Sequence, residues 1–103
     1  MKTALRTRLD QASERLEELD HLLSDPSIIS DQKRFRNLSK EHAQLTPLAH
    51  SWAAYRQCEQ DLADAHDWLS SGDSDLKEMA QEELPTLKEK LAALELEIRT
   101  LLI

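Results

Sequence analysis

Apolar residues in the first segment fall at Leu5, Leu9, Ala12, Leu16, Leu19 and Leu23, separated by alternating steps of four and three. That alternation keeps one narrow stripe on one side of a helix, the seam pattern of coiled coils and antiparallel bundles. Arg8, Asp10, Glu14, Arg15, Glu17 and Glu18 fill the intervening positions and form a solvated face. The helix is expected to stop near Ser24, because Pro26 disfavours a helical Asp25 and has no N–H to donate. Ile28 and Ile29 then follow, placed to pack across the end of a bundle.

Ser30 or Asp31 can cap a second helix by accepting a free first-turn N–H. Its stripe runs Phe35, Leu38, His42, Leu45, Leu48, Trp52 and Tyr55, in phase across Pro47. The continuity predicts one long helix kinked at Pro47 rather than two helices, although an interior proline costs roughly 3 kcal/mol. Beyond Tyr55 the stripe slips by one residue and resumes as Cys58, Leu62, Ala65 and Leu69. Ser70-Ser71-Gly72 ends it, with Gly72 placed for a left-handed cap. Asp75 and Glu78 resemble a capping box opening a third helix. Its stripe is Leu76, Ala80, Leu84, Leu87, Leu91, Leu94, Ile98 and Leu101, and Pro85 within it predicts a bend or a weakened turn.

At ~1.5 Å per residue the three helices span roughly 30, 58 and 42 Å. The middle one is too long for either neighbour, so the first covers its first half and the third its second half. The predicted fold is all-α: an elongated antiparallel three-helix bundle, up-down-up and coiled-coil-like, forming a single domain over residues 1–103. Such a rod has a thin core and no room for a deep pocket.

Composition narrows the function. Among 103 residues there is one glycine and no valine, and only 4% are aromatic. Glycine-rich phosphate loops and G-x-S-x-G elbows are thereby excluded, and sheets are disfavoured. Cys58 is the single cysteine and cannot form an internal disulfide, which fits a reducing, cytoplasmic setting. No apolar run approaches the ~18 residues of a membrane span, and Arg6 and Arg8 interrupt any signal peptide.

Candidate chemistry is sparse. His42, His50, Cys58 and His66 lie eight residues apart. That step turns ~80° around a helix, so they share no metal-binding face, and His21 is alone. Paired carboxylates (Glu14/Glu17/Glu18, Asp61/Asp64, Glu82/Glu83) alternate with the apolar stripes and should face water instead of a cleft. No nucleophile has a base at workable spacing. The chain reads as neither an enzyme nor a holder of metal or cofactor. Trp52 and Tyr55 lie on the stripe and read as core, whereas Trp68, beside Leu69 at the helix end, is the aromatic expected to face a partner.

Charge singles out one surface. The net charge is -7, and it resides in the second half, where twelve acidic residues oppose five basic ones; the first half is balanced. Against that background Lys33, Arg34, Arg36 and Lys40 cluster, with Lys33, Arg36 and Lys40 on one helical face opposite Phe35 and Leu38. Two readings stand: a solvated face partly paired with Asp31 and Glu41, or a contact with an RNA backbone or an acidic protein.

The stretch Leu23-Ser24-Asp25-Pro26-Ser27-Ile28-Ile29-Ser30-Asp31, followed by Arg34-Phe35-Arg36-Asn37-Leu38-Ser39-Lys40-Glu41, resembles the N-terminal region of the bacterial peptide chain release factor 1 family, class I release factors. Glu78-Met79-Ala80-Gln81-Glu82-Glu83-Leu84 and the leucine-rich run ending at Leu101-Leu102 resemble it too, in the same order and spacing. The resemblance implies a helical domain of a factor that directs stop-codon-dependent peptidyl-tRNA hydrolysis in translation termination. The family's Gly-Gly-Gln and Pro-x-Thr tripeptides are absent, so no catalytic or codon-reading residue carries over. The chain is therefore expected to be the first domain of a longer factor, and its uncapped end at Leu101, Leu102 and Ile103 carries the same expectation. The resemblance further implies docking on the ribosome at the large-subunit stalk base and influence on the class II release-factor GTPase, with Lys33, Arg34, Arg36 and Lys40 as contact candidates. A freestanding coiled-coil adaptor or homodimeric interaction protein is the rival reading. Either way, uncovered apolar surface could let the isolated domain self-associate.

Overall fold

The Asp25-Pro26 step ends the first helix where the sequence predicts. In the computed structural model, which describes residues 1–103, helix α1 spans Thr3–Leu23 and stops before Ser24. Pro26 then opens α2, a single turn over Pro26–Ile29, where its fixed φ suits the first helical position and its missing N–H is not needed. Helix α3 runs from Gln32 to Leu69 and α4 from Ser74 to Leu101. The fold is all-helical with four helices, one more than the three stripes announce, because α2 is too short to show a period.

Neither proline breaks its helix. Pro47 lies inside α3 and Pro85 inside α4. Each removes the N–H that would bond the carbonyl four residues earlier, at Ala43 and Gln81. Both prolines, Ala43 and Gln81 are exposed, so water can solvate the orphaned oxygens. Leu48 and Leu84, each next to a proline, are buried and hold the helix in place there.

Two turn assignments need correction. Gly72 adopts no left-handed conformation. The end of α3 is closed instead by tight turns, in which Ser70 N–H donates to the Asp67 carbonyl at 3.1 Å and Ser71 N–H to that of Trp68 at 3.0 Å. The N-cap of α4 is Asp73, not Asp75: its carboxylate accepts the N–H groups of Asp75 at 2.9 Å and Leu76 at 3.3 Å. Asp75 falls inside the first turn, where its charge still complements the helix dipole. Asp31 does cap α3, accepting the Arg34 N–H at 3.2 Å.

The chain divides into two compact units, Met1–His50 and Ser51–Ile103. In the first, Leu9, Leu19, Ile28, Leu48 and Ala49 are buried, and the remaining stripe positions of α1 are half-buried. Ile28 is inside but Ile29 is 50% exposed. Consecutive helical residues diverge by about 100°, so a one-turn helix can bury only one of the pair. Phe35, at the start of its stripe, is likewise outside the core, with 38% of its surface exposed. In the second unit Trp52, Tyr55, Cys58, Ala65, Ala80, Leu84 and Ile98 are buried. Ala65, Ala80 and Leu84 form a cluster against which Leu62, Trp68, Leu69 and Leu87 pack. The stripe of α4 frays at its last member, Leu101, which is exposed.

The burial pattern sets clear expectations for stability. Leu19→Ala, at a fully buried site, should destabilise by about 2–5 kcal/mol, and Asp73→Ala by about 1 kcal/mol through loss of the cap. Leu96→Ala, on the exposed side of α4, should stay within about 0.5 kcal/mol. Urea unfolding followed by circular dichroism measures all three, and equal effects at Leu19 and Leu96 would contradict the core assignment.

Candidate functional site

The start of α3 is built by a chain of short-range polar contacts. Asp25 accepts the Ser27 N–H at 2.9 Å and the Ser27 hydroxyl at 2.8 Å, which fixes the turn into α2. Those two bonds, the backbone one foremost, hold the Asp25 carboxyl below its usual range, with a smaller contribution from the Arg34 charge. Ile28 anchors the turn inside the first unit, and Asp31 caps the helix that follows. Lys33 thus begins the cation row in the first turn of a well-defined helix end.

Contacts between α1 and α3 then decide which charges remain available. Arg15 grips Glu41 with two bonds, Nε to Oε2 at 2.7 Å and Nη2 to Oε1 at 2.8 Å. A bidentate fork of this kind is the strong, directional form of an ion pair. Arg15 also reaches Glu18 at 2.9 Å. The pairing with Arg15 holds the Glu41 carboxyl below its ordinary value against a smaller desolvation effect, and the same contact raises the Arg15 pKa. Beside this fork, His42 Nε2 lies 2.7 Å from Asp20 Oδ1, and the Thr46 hydroxyl donates to the His42 carbonyl at 2.7 Å.

Glu41 and Asp31 are the acids that would neutralise the cation row, and both are committed elsewhere: one to Arg15, one to the helix cap. Lys33, Arg36 and Lys40 are exposed and make no ion pair. Steps of three and four place successive members within roughly 5–6 Å of each other along one face. Arg34 is exposed and without an ion pair as well, but its position is turned about 100° from Lys33. The structure therefore keeps three of the four candidate cations together and separates the fourth.

The second unit holds the other noteworthy surface. Trp52 and Tyr55 are buried, their rings stacked with centroids 5.6 Å apart, and the Arg56 guanidinium sits 5.8 Å from the Trp52 centroid. Neither ring can serve as a platform for an external base. Trp68 is half-buried on the Ala65 cluster and lines an open groove of about 480 Å³ between α3 and α4. Asp61 and Asp64 flank that groove from α3, Glu82 and Glu83 from α4. Sequence spacing shows each pair on its own helix, but only the packing of α3 on α4 sets the pairs across one groove.

No three His, Cys, Asp or Glu side chains converge as a metal site. The Cys58 thiol is buried and donates to the Leu87 carbonyl at 3.3 Å, and burial pushes its pKa up. A protonated, covered sulfur of this kind is a core element, not a nucleophile. No helix is long and apolar enough to cross a membrane.

Compared with known families, residues 12–103 match the model described as the PCRF domain. No solved structure matches the chain.

The Arg15–Glu41 pair gives stability a definite pH dependence. Because the folded-state pKa of Glu41 lies below its ordinary value, the stabilisation is present above the unfolded-state pKa and is lost as pH falls through the folded one. The difference in urea midpoint between the wild-type protein and Glu41→Gln should accordingly be largest near neutrality and shrink between about pH 5 and about pH 3. A difference independent of pH would show that the pair contributes nothing through its charge.

Proposed function

The chain belongs to the PCRF-domain family of peptide chain release factors and has its role in translation termination, and within that role we propose that it is the ribosome-docking, regulatory domain of a bacterial release factor 1. The PCRF domain is a non-catalytic part of release factors. Stop-codon reading and peptidyl-tRNA hydrolysis belong, in this reading, to other domains, and residues 1–103 act as one antiparallel helical domain in the cytoplasm. The large-subunit stalk base is the docking site, and the class II release-factor GTPase is the partner whose action the domain influences.

One observation supports docking through α3 above the others. Lys33, Arg36 and Lys40 form an exposed row without an ion pair, in a chain of net charge -7. Ribosomal RNA presents a dense phosphate array, and cations held on a helix at i, i+3 and i+7 can lie along such a backbone while releasing its counterions. A solvated row paired with Asp31 and Glu41 explains the arrangement less well, since both acids are otherwise engaged. The freestanding adaptor reading is not favoured, because the family match extends over residues 12–103. Arg34 contributes less than its neighbours, since its position is turned about 100° from Lys33 around the helix.

Replacing Lys33, Arg36 and Lys40 together by Glu should weaken association with ribosomes and flatten its salt dependence, by a slope of roughly 0.7–0.9 for each phosphate left without its cation. Pelleting or fluorescence titration across a salt series measures both. Unchanged affinity and slope would remove the cation row from the interface, and loss of helicity in the variant would show by circular dichroism.

A further inference from the structure

The groove of the second unit has a chemistry opposite to that of the cation row. It is lined by Asp61, Asp64 and the half-buried Trp68 from α3 and by Glu82, Glu83 and the half-buried Leu87 from α4. Lys90 is the one cation among the lining residues. The carboxylates are not neutralised from within: Asp61 and Asp64 accept only the neutral side-chain amides of Gln57 at 2.9 Å and Gln60 at 3.0 Å. Glu82, Glu83 and Lys90 form no ion pair.

We propose that this groove docks a basic segment of a protein partner, with an arginine or lysine laid over Trp68 and its charge shared by the facing carboxylates. Three features select that occupant. The surplus of three negative charges, four carboxylates against Lys90, repels nucleic acid and anionic lipid. The carboxylates do not converge as a metal site, so an inorganic divalent ion is not the natural guest. The half-buried Trp68 and the apolar Leu87 offer surface to an aliphatic stem, and an indole face attracts a guanidinium within about 6 Å. The lining positions run from 82 to 90 on α4, roughly 12 Å along the axis, which matches about two turns of a bound helix. Docking here goes beyond the cation-row reading and does not depend on it, since Lys33, Arg36 and Lys40 lie in the other unit.

The probe is a synthetic amphipathic peptide of roughly 14 residues with arginines along one face, beside a counterpart with glutamine at those positions. Titrated into the whole chain, the arginine peptide should shift the Trp68 indole resonance and the backbone amides of residues 61–68 and 82–90, and the glutamine peptide should not. Glu82→Gln/Glu83→Gln should weaken binding about tenfold or more, whereas Glu14→Gln/Glu17→Gln, the same change in charge on α1, should alter it less than about twofold. The Lys33/Arg36/Lys40→Glu variant should bind the peptide no more weakly than the wild-type protein, which separates this test from that of ribosome docking. Equal losses in the two glutamine variants would reveal mere attraction to net charge and overturn the proposal. So would an absence of binding, shifts located outside the groove, or equal shifts with a single-stranded RNA oligonucleotide.

Discussion

A helix packed against one neighbour can bury one narrow stripe, and that constraint governs the rest of this protein. Ile28 in the one-turn α2 apart, every buried side chain comes from a stripe spaced by threes and fours or lies directly beside one, as Ala49 and Ser51 do. The one cysteine forms no covalent link that could replace a larger core. What the molecule offers to others is therefore presented on the outer faces of helices. Position along a helix then becomes position on a surface, and a residue or two of difference decides whether a charge meets a neighbouring helix or water.

The Arg15–Glu41 fork shows how this division operates. The same contact that fastens α1 to α3 in the first unit withdraws the acid next to Lys40 from the cation row. Asp31 is withdrawn by a different route, as a helix cap. The local field around Lys33, Arg36 and Lys40 is thus more positive than the balanced composition of the first half suggests. In the second unit the reverse holds, because Asp61 and Asp64 meet only amides and Glu82 and Glu83 meet no cation. Ion pairing and capping expose the cation row in the balanced first unit, whereas in the second the acidic composition is left unpaired along the groove.

Most of the helical structure was legible in the residues. The α1 stripe from Leu5 to Leu23 and the passage of α3 through Pro47 both follow from unbroken spacing, which outweighs one absent hydrogen bond where water can reach the freed carbonyl. What escaped was local. Four residues, Pro26–Ile29, are too few to display a helical period, so α2 was hidden. Gly72 invites a left-handed cap, but Ser70 and Ser71 already close the turn with backbone bonds, and Asp73 offers a cap two residues before Asp75. The cation row was visible because it lies on one helix. The acidic groove was not, because its two halves meet only once α3 and α4 pack.

Touching of ribosomal RNA by the α3 face that bears Lys33, Arg36 and Lys40 is the central functional claim, and site-specific photocrosslinking tests it most directly. A photoreactive side chain at Asn37, exposed among the three cations, should crosslink to ribosomal RNA when the protein is bound to ribosomes. One at Glu89, exposed on α4 of the acidic unit, should not. RNA crosslinks from position 89 with none from position 37 would contradict the claim.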